Sequence, residues 1–509
     1  MVKKNSTALW YPPLKSYQSY SDCMSELSAD EAFDGLLGFG LFAESLPPLF
    51  TSEYFLNYCK NSKPNFKQGW ANYIRYESMR NTNTVRLFGI PTPFTQYQLC
   101  LHIRDNWSGI LTHFTNQTKS QSHKISRIHV RKQYNTKCIF KMNYQPWWTD
   151  ETPSTDLSIG SRFLVHADIS TCFPSIYTHC IPWALMTKSV AKSNRTGWEN
   201  DLDIYTRHTT NNETHGILIG PHTSNLLSEI ILTSIDRDLH ADNFSYLRHI
   251  DDYNCYVESY ERGEAFIVTL RRRLKEYGLS INDKKTNFEP LPIAEEKNWK
   301  NRLGYEVPQP DNGVINYRKL QRFLDLATFL LVSNDDNLAI LKYAMKMVSN
   351  FPLNYGAKIL AQKYFLHMAA MYPYLVPDLE KFVFKGLNTD PVIIREWSNE
   401  FFDEFLRRSC YEALAYLFYF ATSYGFSIDG FDETKLIEIP DCIVKTVGSI
   451  YFKKLGSKNF DDVYDDAKNY YKDEDQRHQY WLYCYTTLAQ KDLSGDWAKI
   501  KKNGVSFVV

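Results

Sequence analysis

The chain has 509 residues, of which 58 are basic and 58 acidic, so its formal net charge is zero and no whole-molecule field draws in nucleic acid or an anionic membrane. Any anion site must be local. The length predicts at least two domains, and ten scattered cysteines without a CxxC pair or a Cys/His zinc spacing predict a reduced, cytoplasmic protein without structural metal.

The N-terminal stretch MVKKNSTALWYPPLKSY breaks its apolar character at Trp10, Tyr11, Pro12 and Pro13 and offers no signal-peptide core. From about residue 85 to 305, short β-like runs alternate with helical patterns, punctuated by turn chemistry such as GIPTP at 89 to 93, which is an α+β signature. PQPDNG at 308 to 313 is a loop and the predicted boundary. Beyond residue 317 amphipathic stretches dominate, and Leu338, Leu341, Met345 and Val348 recur at the three- and four-residue steps of one buried helix face. Paired helices parted by Pro or Gly turns predict a helical-repeat array, although no fixed period is present. The longest apolar runs, such as ALAYLFYFA at 413 to 421, fall short of the roughly 18 to 20 residues of a spanning helix, so no membrane segment is expected.

The chemistry concentrates in the middle of the chain. In SYLRHIDDYNCYV, β-branched and aromatic residues flank Asp251 and Asp252, which predicts two short strands with both carboxylates at their junction; Asp-Asp is also an ordinary turn dipeptide. In RFLVHADISTCFPSIYTH, a strand-like run over 163 to 167 ends at Asp168, an acid that could equally cap the helix that follows. A single and a double strand-end carboxylate are what a two-magnesium nucleotidyl-transfer centre requires. Hard divalent ions take carboxylate and phosphate oxygens, and two of them about 3.5 to 4 Å apart activate the attacking hydroxyl and stabilise the leaving pyrophosphate. Upstream, SHKISRIHVRK at 122 to 132 carries Lys124 and Lys132, with Arg127, His129 and Arg131 at strand-like alternation between them; it suits a triphosphate-holding run and equally a solvated edge strand.

These segments resemble the reverse transcriptases, with five motifs in order. Asp168 with Phe173 resembles motif A, GILIGPHTSNLLSEI (216 to 230) motif B, IDD (250 to 252) motif C, YGLSINDKKT (277 to 286) motif D and LGY (303 to 305) motif E. The resemblance implies a palm and fingers over about 85 to 310, preceded by an extension and part of the fingers in 1 to 84, whereas residues 311 to 509 read as an all-helical domain in place of the family's thumb. It implies that Asp168 and Asp251 bind metal directly with the carbonyl of Ile169, that Asp252 supports them, and that Phe173 excludes a 2′-hydroxyl. Gly216 and Gly220 would let backbone approach the nascent base pair. Lys285 would stand near the leaving pyrophosphate, with a solvated surface lysine as the alternative. Two Mg²⁺ ions and deoxynucleoside triphosphates are the implied cofactor and substrate.

Three departures refine the expectation. His249 replaces the usual tyrosine before the acid pair, Leu218 and Ile219 replace the Pro-Gln of motif B, and acidic stretches such as DDVYDDAKNYYKDED (461 to 475) stand where a duplex clamp would be basic. IYTHCIPW (176 to 183) with THGI (214 to 217) resembles the abortive-infection (Abi) group of prokaryotic reverse-transcriptase-like polymerases. That likeness implies anti-phage defence by template-independent DNA synthesis, a single-stranded DNA product covalently attached to a tyrosine of the protein, a phage trigger, and a trimer or hexamer. Tyr11, Tyr17 and Tyr20 are the priming candidates. The competing expectations are a conventional RNA-templated reverse transcriptase and, from another class, a scaffold whose palm is vestigial and whose helices capture a phage protein.

Overall fold

The computed structural model describes residues 18–67, 69–81, 84–133, 136–142, 153–294 and 298–509. The chain forms two compact units. Of the described residues, the first comprises those within 18–43, 51–73 and 89–293, and the second those within 44–50, 74–88 and 294–509. The boundary predicted in the 308–313 loop lies earlier, at 293/294, and the stretch 1–84 is shared between both units rather than forming one extension.

The first unit is built on a four-stranded antiparallel sheet in the order β4-β5-β3-β6, with β3 at Phe163–Asp168, β4 at Ser245–His249, β5 at Asp252–Val257 and β6 at Asn287–Pro290. Period-2 alternation sends Tyr253, Cys255 and Val257 of β5 into the core, while Asn254 and Tyr256 are half-buried on the opposite face. The helix Tyr260–Glu276 packs against the sheet at Gly263, where an added Cβ would collide with the Phe288 ring and stand 2.9 Å from Val165; glycine permits that approach. The 20-residue helix His222–Ala241 buries Leu226, Leu227, Ile230, Ile231 and Ile235 on the face set by their spacing.

The basic segment 122–132 is not a regular strand. It runs beside β4 through a parallel bridge between Ser126 and Arg248, with Arg127 N–H donating to the Arg248 carbonyl (2.8 Å) and Arg248 N–H to that of Ile125 (2.9 Å). It therefore covers the edge of β4, with Lys124, Arg127, His129 and Arg131 turned inward and Lys132 exposed on Glu31.

In the second unit, β1 (Ile74–Met79) pairs with β2 (Val85–Ile90), whose last two residues pass into the first unit. The remainder is helical. Successive helices at Tyr317–Val332, Ala339–Val348, Tyr355–Met371, Pro391–Arg407 and Tyr411–Tyr424 have 16, 10, 17, 17 and 14 residues. Leu338, Leu341, Met345 and Val348 are all buried, as the spacing requires. Among the described residues no helix is long and apolar enough to cross a membrane.

Candidate active site

Two strand ends bring the acids together. Asp168, the last residue of β3, is in register with Asp252, the first residue of β5, and His249 pairs with Asp252 across the turn to β4. Ile250 and Asp251 are thus the two central residues of a tight hairpin, which projects Asp251 from the end of the sheet. Ile250 has φ +61°, a left-handed conformation that a β-branched residue adopts only under constraint, at a cost of about 1–3 kcal/mol. The Asp251 carbonyl accepts from Ile169 N–H (3.1 Å), which sews the turn to the end of β3.

The three carboxylates crowd one another. Burial, the Asp251 charge and a hydrogen bond with Asp168 push the Asp252 carboxyl up to about 7, even though part of its side chain meets solvent. A Lys285 ammonium lies 2.7 Å from Asp168 Oδ2, Asn282 Nδ2 donates to Asp168 Oδ1 (3.2 Å), and Asn282 N–H donates to the Asp168 carbonyl (2.8 Å). Among the described residues no three His, Cys, Asp or Glu side chains are grouped to hold a metal ion as they stand. The donor chemistry nonetheless fits a hard divalent cation: the donors are carboxylate oxygens on adjoining strand ends, and a lysine ammonium already neutralises the most buried of them. The half-exposed Lys285 stem leaves that ammonium room to withdraw.

Around the acids, Ile169 is buried and bridges Ile281. Phe173 is half-buried in the short helix Cys172–Ser175, and its carbonyl accepts from Ile217 N–H (3.0 Å), so the predicted nucleotide gate is tied to the glycine loop. Gly216 and Gly220 have φ +89° and +128°, and a Cβ on Gly216 would stand 3.3 Å from the Pro174 carbonyl oxygen. These positive φ values explain the glycines directly.

Several expected residues are placed differently. Lys285 contacts Asp168 itself. Lys124 and Arg127, offered for a triphosphate, are buried, Lys124 with its ammonium 3.4 Å from Cys23 Sγ and Arg127 with Nη1 on the Lys124 carbonyl at 3.1 Å. They face inward because their segment covers β4. Tyr20 is 2% exposed, packed on Phe114 and His129, and burial with the nearby Glu229 charge raises its phenol well above the ordinary value, which does not suit a nucleophile. Tyr11 and Tyr17 lie outside the described residues.

Sequence reasoning missed Asn282 and Arg248. Asn282 lies within the motif-D segment, two residues past the turn-forming YGLS. Arg248 has no solvent exposure and bonds both Glu229 and Asp236, acids seven residues apart on one face of the His222–Ala241 helix. Acids at that spacing among buried Leu and Ile were the available signal.

Residues 110–307 match the family described as Reverse transcriptase (RNA-dependent DNA polymerase). The matched segment holds all three aspartates, Phe173, the glycine loop and Asn282, and the match indicates a nucleotidyltransferase domain of reverse-transcriptase type over those residues. That family generally uses divalent metal ions and deoxynucleoside triphosphates. No curated protein matches the chain. Among solved structures, it is similar to the apo telomerase of Candida tropicalis, with TM-score 0.32, 10% identity, and coverage of 81% of this chain and 73% of that one. It is similar to the same telomerase truncated from its C-terminal domain, with TM-score 0.26, 10% identity, and coverage of 48% of this chain and 55% of that one. The telomerase of Candida albicans in complex with a telomeric RNA fragment gives TM-score 0.30, 11% identity, and coverage of 81% and 69%. The chain thus spans about half the length of the truncated telomerase.

Proposed function

We propose that the protein is a DNA polymerase of reverse-transcriptase type that works without a template, primes on a tyrosine of its own chain and acts in abortive infection against phage. The polymerase reading rests on one observation, the register that sets Asp168 against Asp252 with Asp251 on the turn beside them. In it Asp168, Asp251 and the Ile169 carbonyl would hold two Mg²⁺ ions, which when bound supply the charge that activates a hydroxyl and stabilises pyrophosphate. The chain's own residues do the rest. The strand ends orient the carboxylates, Asn282 and Lys285 hold Asp168 until the ion arrives, and Phe173 limits the space beside the sugar. In this reading the sheet and its glycine loop are palm, and the unit from residue 294 onward takes the place of a thumb.

Untemplated synthesis is supported by Leu218 and Ile219, which present no amide side chain where a polar contact to the incoming nucleotide is expected. A phenol can replace a primer 3′-hydroxyl once it is activated at a metal. The product is a single DNA strand joined to the protein, and the active form is a homo-oligomer in the cytoplasm. A second reading, RNA-templated synthesis, is favoured by the description of the family matched over residues 110–307.

The test incubates the full chain with Mg²⁺ and labelled deoxynucleotides, without template or primer, and resolves products on a denaturing gel before and after protease. Label retained on protein until protease frees a DNA ladder is the expected result. Extension only when a template-primer is added selects the second reading.

A further inference from the structure

Arg248 has no access to solvent or substrate, yet its guanidinium uses all five N–H donors. Nε donates to Asp236 (2.9 Å to Oδ2), Nη2 to Asp236 Oδ2 (2.6 Å) and Glu229 Oε1 (3.0 Å), and Nη1 to Glu229 Oε2 (3.1 Å). The remaining Nη1 donor goes to the carbonyl of Ile250 at 2.9 Å. That carbonyl belongs to the left-handed residue of the catalytic turn. Asp236 is held in turn by the Tyr246 hydroxyl, which donates to its Oδ1 at 3.0 Å.

We propose that Arg248 is a positioning residue: locked by Glu229 and Asp236, it grips the Ile250 carbonyl and holds the strained turn in the one conformation that aims Asp251. The two carbonyls of the turn are then both engaged, that of Ile250 by Arg248 from the core side and that of Asp251 by Ile169 N–H from β3. An arginine is required because only a planar fork with five donors satisfies two carboxylates and still reaches a third acceptor; a lysine has three donors around one point. The inference rests on the reading of Asp251 as a metal ligand.

The experiment uses full-length Arg248→Lys, Glu229→Gln, Ile250→Gly and the double variant Arg248→Lys/Ile250→Gly. Each is measured for thermal unfolding, for Mn²⁺ affinity by electron paramagnetic resonance, and for kcat and KM in deoxynucleotide incorporation. Arg248→Lys is expected to weaken Mn²⁺ binding about tenfold and to lower kcat about 10- to 100-fold, with KM roughly unchanged. Glu229→Gln, which frees the nitrogen that grips Ile250, should move both quantities the same way by less. Glycine adopts a positive φ without being held, so the double variant should recover at least part of the Mn²⁺ affinity lost by Arg248→Lys. Loss of activity that only follows the unfolded fraction, with Mn²⁺ affinity intact, overturns the proposal, as does a double variant no better than Arg248→Lys. Wild-type protein that binds Mn²⁺ but incorporates no nucleotide under any template condition sinks the polymerase reading instead, and the Mn²⁺ comparison still decides the role of Arg248.

Discussion

The two units bury a cation in different ways. In the first, Arg248 lies between two carboxylates, Glu229 and Asp236, and reaches beyond them to a backbone carbonyl. In the second, Lys445 is equally inaccessible, but its ammonium ends on the Ile437 carbonyl (2.6 Å) and one carboxylate, Asp466 (2.9 Å), with the Tyr470 and Tyr483 rings 5.3 and 5.5 Å away. Burial lowers the Lys445 pKa, whereas for Arg248 burial is outweighed by Asp236 and Glu229 and the pKa is raised. The arginine cluster carries one more formal negative than positive charge and points at a turn. The lysine pair is neutral and closes on itself among helices. Substitutions at the turn that the arginine grips should therefore change activity with little change in stability, and those at the lysine pair should change stability at constant activity.

The largest expected effect is at the turn. Asp251→Asn removes a ligand whose charge the reaction needs, so incorporation should fall about a thousandfold, or about 4 kcal/mol, with the melting temperature nearly unchanged. Residual incorporation near wild type would remove the site from this turn. Next is Lys445→Met, which among the described residues leaves Asp466 hydrogen-bonded to the Tyr483 hydroxyl without its cation and should cost about 3 kcal/mol in denaturant unfolding of the second unit. Incorporation per folded molecule should be unchanged; a specific loss of activity would erase the distinction between the units.

Glu412 sharpens the comparison through pH. Burial pushes its carboxyl up to about 7, although Ser78 Oγ (2.7 Å) and Met79 N–H (2.8 Å) donate to it. A carboxyl whose folded pKa is raised binds its proton more tightly when folded. Its contribution to stability is therefore complete below about 4.5 and is lost as pH rises through about 7. Glu412→Gln should match wild type at pH 4 and exceed it by about 2 kcal/mol at pH 8 in urea unfolding. Asp441, pushed up to about 6 by burial, titrates in both proteins and cancels in the difference. The smallest effect returns to the first unit, where Phe173→Val should relax discrimination against ribonucleotides about tenfold, near 1.4 kcal/mol, in a competition of the two triphosphates. Unchanged discrimination would make Phe173 a packing residue.

Much of the site was legible because its residues violate local rules. Two adjacent acids between β-branched runs, and an acid closing an apolar strand, have few uses in a core, and glycines at 216 and 220 mark backbone that no other residue tolerates. The helix face at Leu341, Met345 and Val348 followed from periodicity alone. Lys124 and Arg127 were misjudged because alternating charges look the same on a solvated strand and on a segment folded inward over a sheet edge. Local reading also does not show that residues 44–50 and 74–88 join the second unit through long-range pairing, as when Phe50 bridges Val508 and Asn81 accepts from Leu338 N–H.

By itself, then, the sequence determined the chemistry present at the strand ends, the strands and helices that carry it, and the helical character of the C-terminal region, since each depends on neighbours a few residues apart. Only the tertiary structure decided which charges are buried together. Glu229, Asp236 and Arg248 read singly as surface residues, and their meeting behind Ile250 depends on how one helix packs against one sheet. The conformation of that turn depends on the same packing, because a β-branched residue at positive φ persists only where the surrounding structure holds it.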